Sequence, residues 1–258
     1  MSAAIMSVAK TVFDDQLEGS ERWLNWIEGA KKFQDAVKGG LDWNQIKADD
    51  RTFVSDRLNA VAPTQQVLLN SLYLTMVSSF EEYLRSCIRR VAEKFSSAQN
   101  GYDELFDEIR NTHAREAGRL LARIDSLPDY LSVNIDDLCR EIGSCVVGSK
   151  QVRLSSQALS NVDGLIKLDN FIDRMSCLGV TLTFDGISAD RGIKSALKLD
   201  KGGAREVAKA LRQELEAVAK MRNRIAHTGP TATDVTQEIA NSHRVLFRAI
   251  SSVIESKI

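Results

Sequence analysis

Proline occurs only three times in the 258 residues, while apolar residues recur every three or four positions along most of the chain. A proline inside a helix removes a hydrogen bond and clashes with the preceding turn, so it is costly there. Apolar residues at three- and four-residue spacing form one face of an α-helix. The two features together predict an all-α protein.

The helical pattern divides the chain into two parts. We predict an N-terminal helical arm over residues 1–62, in which a helix capped by Ser20 carries an apolar stripe from Trp23 to Val37. Two tryptophans on one stripe usually mean a packed helix, and the alternative is a docking surface for a partner. A helical domain over residues 63–258 follows, and Pro63 opens its first long helix.

A mostly helical insertion is expected at about residues 99–200, between the core helices of this domain. Its first helix is predicted over residues 102–124 and is highly charged. The alternating segment 180–184 is consistent with a lone strand. Four arginines lie near one side of the first helix: Arg110, Arg115, Arg119 and Arg123.

Charge and motif content exclude several classes of function. The 34 basic and 35 acidic residues leave a net charge of −1, so any RNA binding must use a local patch. The four cysteines form no CxxC pair, and nucleotide-binding glycine motifs and zinc-protease motifs are absent. We therefore expect no metal and no cofactor. No signal peptide or membrane-spanning run is recognisable, so a cytoplasmic location is expected. His113 and His243 are expected at the surface.

One helix, predicted over residues 204–227, carries an arginine where its apolar stripe calls for a core residue. The stripe runs through Val207, Leu211, Leu215 and Val218, and its next position is Arg222. Burying an unpaired charge is costly, so Arg222 must reach water, a partner charge or a ligand phosphate.

The residues around Arg222 suit RNA cleavage. Internal cleavage needs a base for the 2′-OH proton, a cation for the crowded phosphorane and an acid for the leaving oxygen. The imidazole of His227 is of the type that performs acid or base work near neutral pH, and an arginine binds phosphate through a planar fork. Asn223 can orient the histidine or donate a hydrogen bond to a phosphate oxygen. One such histidine per chain is few for a reaction that needs both an acid and a base. A homodimer would supply two histidines.

The segment Met221–Gly229 resembles the Arg-Asn-x-x-x-His signature of HEPN domains, which are small helical nucleases. The segment Val77–Leu84 resembles the first core helix of some HEPN subfamilies, and the RiboL-PSP-like group is the most similar. The resemblance covers about residues 64–95 and 204–258. It implies a HEPN-like helical bundle with Arg222 and His227 as the catalytic pair. Asn223 would be the polar residue that follows the arginine, and Glu81 the acidic residue that faces the site.

The resemblance also implies a metal-independent endoribonuclease that acts as a homodimer, as a toxin or phage-defence effector with an antitoxin or another defence protein as its partner. Four cations are the candidate RNA contacts, and the alternative interpretation is a solvated helix face: Lys209, Arg205, Arg212 and Arg224. The alternative functions are a catalytically silent interaction module, which docks through Trp23 and Trp26, and a nucleotide- or RNA-binding module.

Overall fold

The structure, a computed structural model, describes residues 7–40, 48–98, 101, 105–123, 133–145, 152–228 and 235–258. Within these ranges it contains ten α-helices and no strand, which confirms the predicted all-α class. The helices are α1 Val8–Gly40, α2 Ala48–Ser97, α3 Asp107–Ala122, α4 Ile135–Ser144, α5 Ser156–Ser160, α6 Asp169–Cys177, α7 Phe184–Ser188, α8 Arg191–Ala196, α9 Ala204–Thr228 and α10 Gln237–Glu255. No helix in the described part of the chain combines the length and apolar character needed to cross a membrane.

Helix α2 is the centre of the bundle, and α1, α9 and α10 contact it. The predicted apolar stripe of α2 is buried from Val77 to Val91, and Phe80 stacks on Phe247 of α10 with ring centroids 4.3 Å apart. Stacked aromatic side chains combine a large buried area with a favourable ring geometry, so this pair joins the two helices firmly.

Helix α2 begins at Ala48, so the predicted helix start at Pro63 is wrong. An interior proline costs a helix about 3 kcal/mol. The packing of the residues that follow offsets this cost, because the apolar face from Leu69 to Val91 is buried in the core. The division into an arm at 1–62 and a domain at 63–258, with an insertion at about 99–200, stays a prediction.

Helix α1 is also longer than predicted, and Ser20 lies inside it, where its hydroxyl donates to the carbonyl of Gln16. The buried face of α1 carries Leu24 and Ile27, whereas Trp23 and Trp26 are 53% and 56% exposed. The prediction that both tryptophans pack into the protein is therefore wrong. The side chains of Phe33 and Val37, on the same predicted stripe, lie outside the described residues.

Polar contacts fix α1 against the ends of α2 and α10. The carboxylate of Glu255 accepts hydrogen bonds from Arg90 at 2.7 Å and from the backbone N–H of Ser7 at 3.2 Å. Burial raises the pKa of Glu255, but the guanidinium of Arg90 outweighs it and holds that pKa at about 2. The start of α1 is thus held by a charged group from the far end of the chain.

Two predictions for the region between the core helices are corrected. The segment 180–184 forms no strand, because Thr183 caps α7 by accepting a hydrogen bond from the backbone N–H of Gly186 at 3.0 Å. His113 is buried rather than exposed, and its Nε2 accepts a hydrogen bond from the backbone N–H of Ser155 at 2.9 Å. Helix α3 begins at Asp107, and the predicted start at Tyr102 lies outside the described residues.

Candidate active site

Helix α9 runs from Ala204 to Thr228, as the sequence predicts. Its apolar stripe is fully buried through Val207, Leu211, Leu215 and Val218, and Ile225 continues it near the end. Arg222 occupies the intervening position, where the backbone directs it toward α2. The helical period thus places a cation at the edge of the core.

The partner of Arg222 is Glu81 on α2. The Nη2 atom of Arg222 lies 3.6 Å from Oε2 of Glu81, and its Nη1 atom donates a hydrogen bond to Oδ1 of Asn223 at 3.1 Å. The Glu81 side chain is 9% exposed and that of Arg222 is 41% exposed. Three of the four residues predicted for the site therefore come together, with the guanidinium open to solvent on one side.

Glu82, the neighbour of Glu81, is exposed and pairs with Arg89 and Arg85 instead. The helical spacing of α2 predicts this difference, because Glu81 shares an edge with the buried stripe and Glu82 does not. A carboxylate at a buried edge needs a cation, and Arg222 supplies it.

His227 lies in the last turn of α9 and is exposed. Five residues separate it from Arg222, which corresponds to about 140° around an ideal helix. Among the residues that the structure describes, no hydrogen bond or ion pair joins His227 to Arg222 or to any other side chain. The tertiary structure therefore does not bring the predicted catalytic pair into contact within one chain.

The exposed side of α9 carries a row of cations at steps of four, three and eight residues, which all return to one face of the helix. We call this row the basic face: Arg205, Lys209, Arg212 and Lys220. Lys220 was missed in the sequence, although its spacing to Lys209 and His227 could have revealed it; in the structure it pairs with the exposed Glu216 at 3.3 Å. By helical geometry the same row continues through Asn223 to His227.

The residues predicted to bind RNA differ in the contacts that they already make within the chain. Arg205 and Lys209 are exposed on the basic face, and Arg224 is exposed on another side of the helix. Arg212 donates to Asp169 at 2.7 Å and lies 3.8 Å above the ring of Phe184. Its guanidinium is therefore partly used to attach α9 to α6 and α7.

A chain of polar groups, which runs from the core to the surface, holds α9 near its middle. The hydroxyl of Tyr73 lies 2.8 Å from Nδ1 of His243, and Nε2 of His243 lies 2.8 Å from Oε1 of Glu214. The prediction that His243 lies at the surface is thus wrong, since its side chain is only 3% exposed. Burial lowers the pKa of His243, and Glu214 opposes that shift only in part.

This chain joins α2, α10 and α9, and Glu214 lies about two helical turns before Arg222. Hydrogen bonds to both ring nitrogens of a buried histidine fix the rotation of the helices that carry its partners. The contact between Tyr73 and His243 spans 170 positions in the sequence, so no local pattern could have revealed it.

Within the described ranges, no group of three or more His, Cys, Asp or Glu side chains is arranged to hold a metal ion. The four cysteines are free, and only Cys87 is fully buried. Burial raises the pKa of Cys87 to about 12. Cys87 is therefore a core residue rather than a reactive thiol.

Comparison with known proteins identifies a family for this chain. No curated protein and no solved structure matches the chain. Residues 46–258 match the RiboL-PSP-HEPN family, and the match includes Glu81, Arg222 and His227. Helix α1 lies outside the matched range. Because the match spans well over half of the sequence, the chain belongs to the RiboL-PSP-HEPN family.

Proposed function

We propose that this protein is an endoribonuclease of the HEPN type, which cleaves RNA through attack of a 2′-OH and without a metal ion. The observation that carries the proposal is the half-exposed guanidinium of Arg222, held at the edge of the core by the buried carboxylate of Glu81. The open side of this guanidinium can bind a phosphate through its planar fork, and membership of the RiboL-PSP-HEPN family supports an RNA-related role.

Each residue has a distinct role in the proposed reaction. Arg222 binds the scissile phosphate and stabilises the charge that develops on the phosphorane oxygens. His227 takes the 2′-OH proton or donates a proton to the leaving 5′ oxygen. Asn223 and Glu81 orient Arg222 through the contacts at 3.1 and 3.6 Å. The basic face, together with Arg224, would guide the RNA backbone toward His227.

A shared site in a homodimer follows from the directions of the two residues. Arg222 is turned toward α2, whereas His227 is exposed on the basic face. A second copy of the chain would bring its His227 to the Arg222 of the first.

Incubation of the purified protein with labelled RNA in excess chelator tests the proposal. The parent chain should cleave RNA, and Arg222→Ala and His227→Ala should abolish cleavage while remaining folded. Gln213→Ala is the matched control, because Gln213 is exposed on α9 outside the proposed site. Full activity of both site variants would show that the assigned site is wrong.

A toxin or phage-defence effector is the biological role that we propose for such a nuclease, with an antitoxin or another defence protein as its partner. Cleavage of cellular RNA by such an effector arrests growth. Expression of the parent chain in a bacterial host should therefore stop growth, and expression of His227→Ala should not.

A second candidate function is a catalytically silent interaction module. The specific observation in its favour is the exposed pair of Trp23 and Trp26, whose rings meet edge to face with centroids 5.6 Å apart. Exposed tryptophans are enriched at protein interfaces. Absence of cleavage on structured and unstructured RNAs, with a partner protein captured through these tryptophans, would favour this function.

A further inference from the structure

The surface between the end of α8 and the start of α9 carries a group of cations outside the proposed nuclease site. We call this group the basic corner: Arg191, Lys194, Lys198 and Lys201. All four are exposed except Lys194, which is half-buried. Arg205 and Lys209 of the basic face follow on α9. Residues 190–209 therefore contain six cations and three anions, a net charge of +3 in a chain whose net charge is −1.

The acidic residues nearby do not cancel this charge. Asp190 caps α8 by accepting a hydrogen bond from the backbone N–H of Gly192 at 2.7 Å. Asp200 and Glu206 are the other anions of the segment, and Asp185 on the adjoining α7 raises their number to four against six cations. Within the described part of the chain, none of the six cations forms an ion pair or a side-chain hydrogen bond. The corner thus holds cations that are available to a ligand.

Lys198 has an unfavourable backbone conformation for a lysine. Its φ is 58°, in the left-handed region. The N–H of Leu199 donates to the carbonyl of Lys194 at 2.8 Å, and the N–H of Lys198 donates to the carbonyl of Ser195 at 3.0 Å. These two bonds form the Schellman motif that ends α8, in which the left-handed position is usually a glycine.

Helix α6 ends in the same motif, but with the usual residue. Gly179 has a φ of 77°, and its N–H donates to the carbonyl of Ser176 at 2.9 Å. The N–H of Val180 donates to the carbonyl of Met175 at 2.9 Å. The same turn at the end of α8 thus contains a lysine whose ammonium group has no partner in the described residues. Strain kept without a compensating contact points to a role for the side chain outside the fold.

The basic face connects this corner to the proposed nuclease site. Arg205 and His227 are 22 residues apart on α9, which corresponds to about 33 Å along an ideal helix. A stacked nucleic-acid strand has one phosphate about every 3.4 Å, so about ten nucleotides span this distance. Lys209 and Lys220 lie between the two ends, on the same face.

We propose that the basic corner binds the backbone of the RNA strand that reaches His227, so that the protein selects RNAs of about ten nucleotides or more. This inference rests on the proposed function, since the ligand of α9 is taken to be RNA. An ammonium group contacts phosphates of any sequence. The corner therefore selects the length of the substrate and not its sequence.

Fluorescence anisotropy of the full chain with labelled 2′-O-methyl oligoribonucleotides tests the corner, because these probes lack the 2′-OH nucleophile and stay intact. An unstructured 20-mer should bind at least about tenfold more tightly than a 5-mer, since only the 20-mer reaches both ends of α9. Lys198→Gly combined with Lys201→Ser should remove most of this difference. The double variant should also reduce the slope of log Kd against log salt by about 1.4.

Lys198→Gly alone separates binding from folding. Glycine suits the left-handed position, so the midpoint of urea unfolding should stay the same or rise while the affinity for the 20-mer falls. Arg140→Ala is the matched control, because it removes a cation that is 68% exposed on α4, which packs on α3. It should bind both RNAs as the parent does.

Three results would overturn the proposal. The first is equal affinity of the parent for the two lengths, or an equal difference between the lengths in the parent and the double variant. The second is an equal loss of 20-mer binding in Arg140→Ala. The third is binding of a poly-glutamate peptide, weakened in the double variant, without binding of either RNA, since the corner would then serve an acidic protein. Length-dependent binding that the double variant loses, without cleavage of unmodified RNA, would support the corner and contradict only the proposed nuclease.

Discussion

The carboxylate of Glu81 lies 3.6 Å from the guanidinium of Arg222, although 141 positions of the sequence separate the two residues. Glu81 is fixed in the face of α2 that packs into the core, while Arg222 retains an open side. An arginine held in this way is oriented before any ligand arrives. Catalysis gains most from charges that need no reorganisation during the reaction.

Replacement of Glu81 by glutamine tests this orientation. We expect Glu81→Gln to lower the kcat of RNA cleavage by roughly three- to tenfold, because a neutral amide holds the guanidinium less firmly. The KM should stay the same or fall, since one negative charge beside the phosphate site is lost. Steady-state kinetics with labelled RNA measure both constants.

Glu82→Gln is the control for this change, because Glu82 is exposed and has its own arginine partners. It should leave both constants unchanged. An unchanged kcat in Glu81→Gln would mean that the ion pair has no part in cleavage.

Mixing of two inactive variants tests whether the site is shared between protomers. If Arg222 of one copy acts with His227 of the other, a heterodimer of Arg222→Ala and His227→Ala retains one complete site. Equal mixing after subunit exchange should then restore about a quarter of the parent activity. If each chain uses its own pair, no mixture regains activity, and the shared site is wrong.

Burial of His113 predicts a loss of stability in acid. Burial lowers the pKa of His113 to about 4, so the unfolded chain binds a proton more readily than the folded one below about pH 6.5. The stabilisation is present above pH 6.5 and is lost as the pH falls toward 4. Its full size is roughly 3 kcal/mol, on the order expected for such a shift.

Urea unfolding of the parent and of His113→Gln at several pH values between 7.5 and 4 measures this effect. Glutamine retains an acceptor for the Ser155 N–H but does not titrate. The free energy of unfolding should therefore fall less with acid in the variant than in the parent. Parallel curves would show that another group causes the acid sensitivity.

The exposed tryptophans of α1 should be dispensable for folding. We expect Trp23→Ser with Trp26→Ser to change the free energy of unfolding by about 1 kcal/mol or less, because both side chains are more than half exposed. Leu24→Ala, on the buried face of the same helix, should cost about 2–5 kcal/mol. Thermal and urea unfolding provide the comparison.

The tryptophan variant also separates the two candidate functions. Cleavage should be unaffected if the protein is a nuclease whose site is formed by α2 and α9. A drop in cleavage together with unchanged stability would instead connect α1 to substrate binding or assembly.

The sequence alone determined the features that depend on the chain's local period. The 3.6-residue repeat predicted α9, the buried position of Glu81, the exposure of Glu82 and the unusual place of Arg222, because helical geometry relates residues three and four positions apart. The signature from Arg222 to His227 also indicated the family, which the match over residues 46–258 confirms. The catalytic roles of these residues stay predictions.

Only the tertiary structure decided which side chain lies against which. His243 and His113 carry no local sign of burial, and their partners Tyr73 and Ser155 are distant in the sequence. Trp23 and Trp26 look like core residues by composition, but α2 and α10 cover another face of α1. The physical reason is that the helical spacing of apolar residues specifies which residues share a face of a helix. Which other helix packs on that face depends on long-range contacts and on hydrogen bonds for every buried polar group.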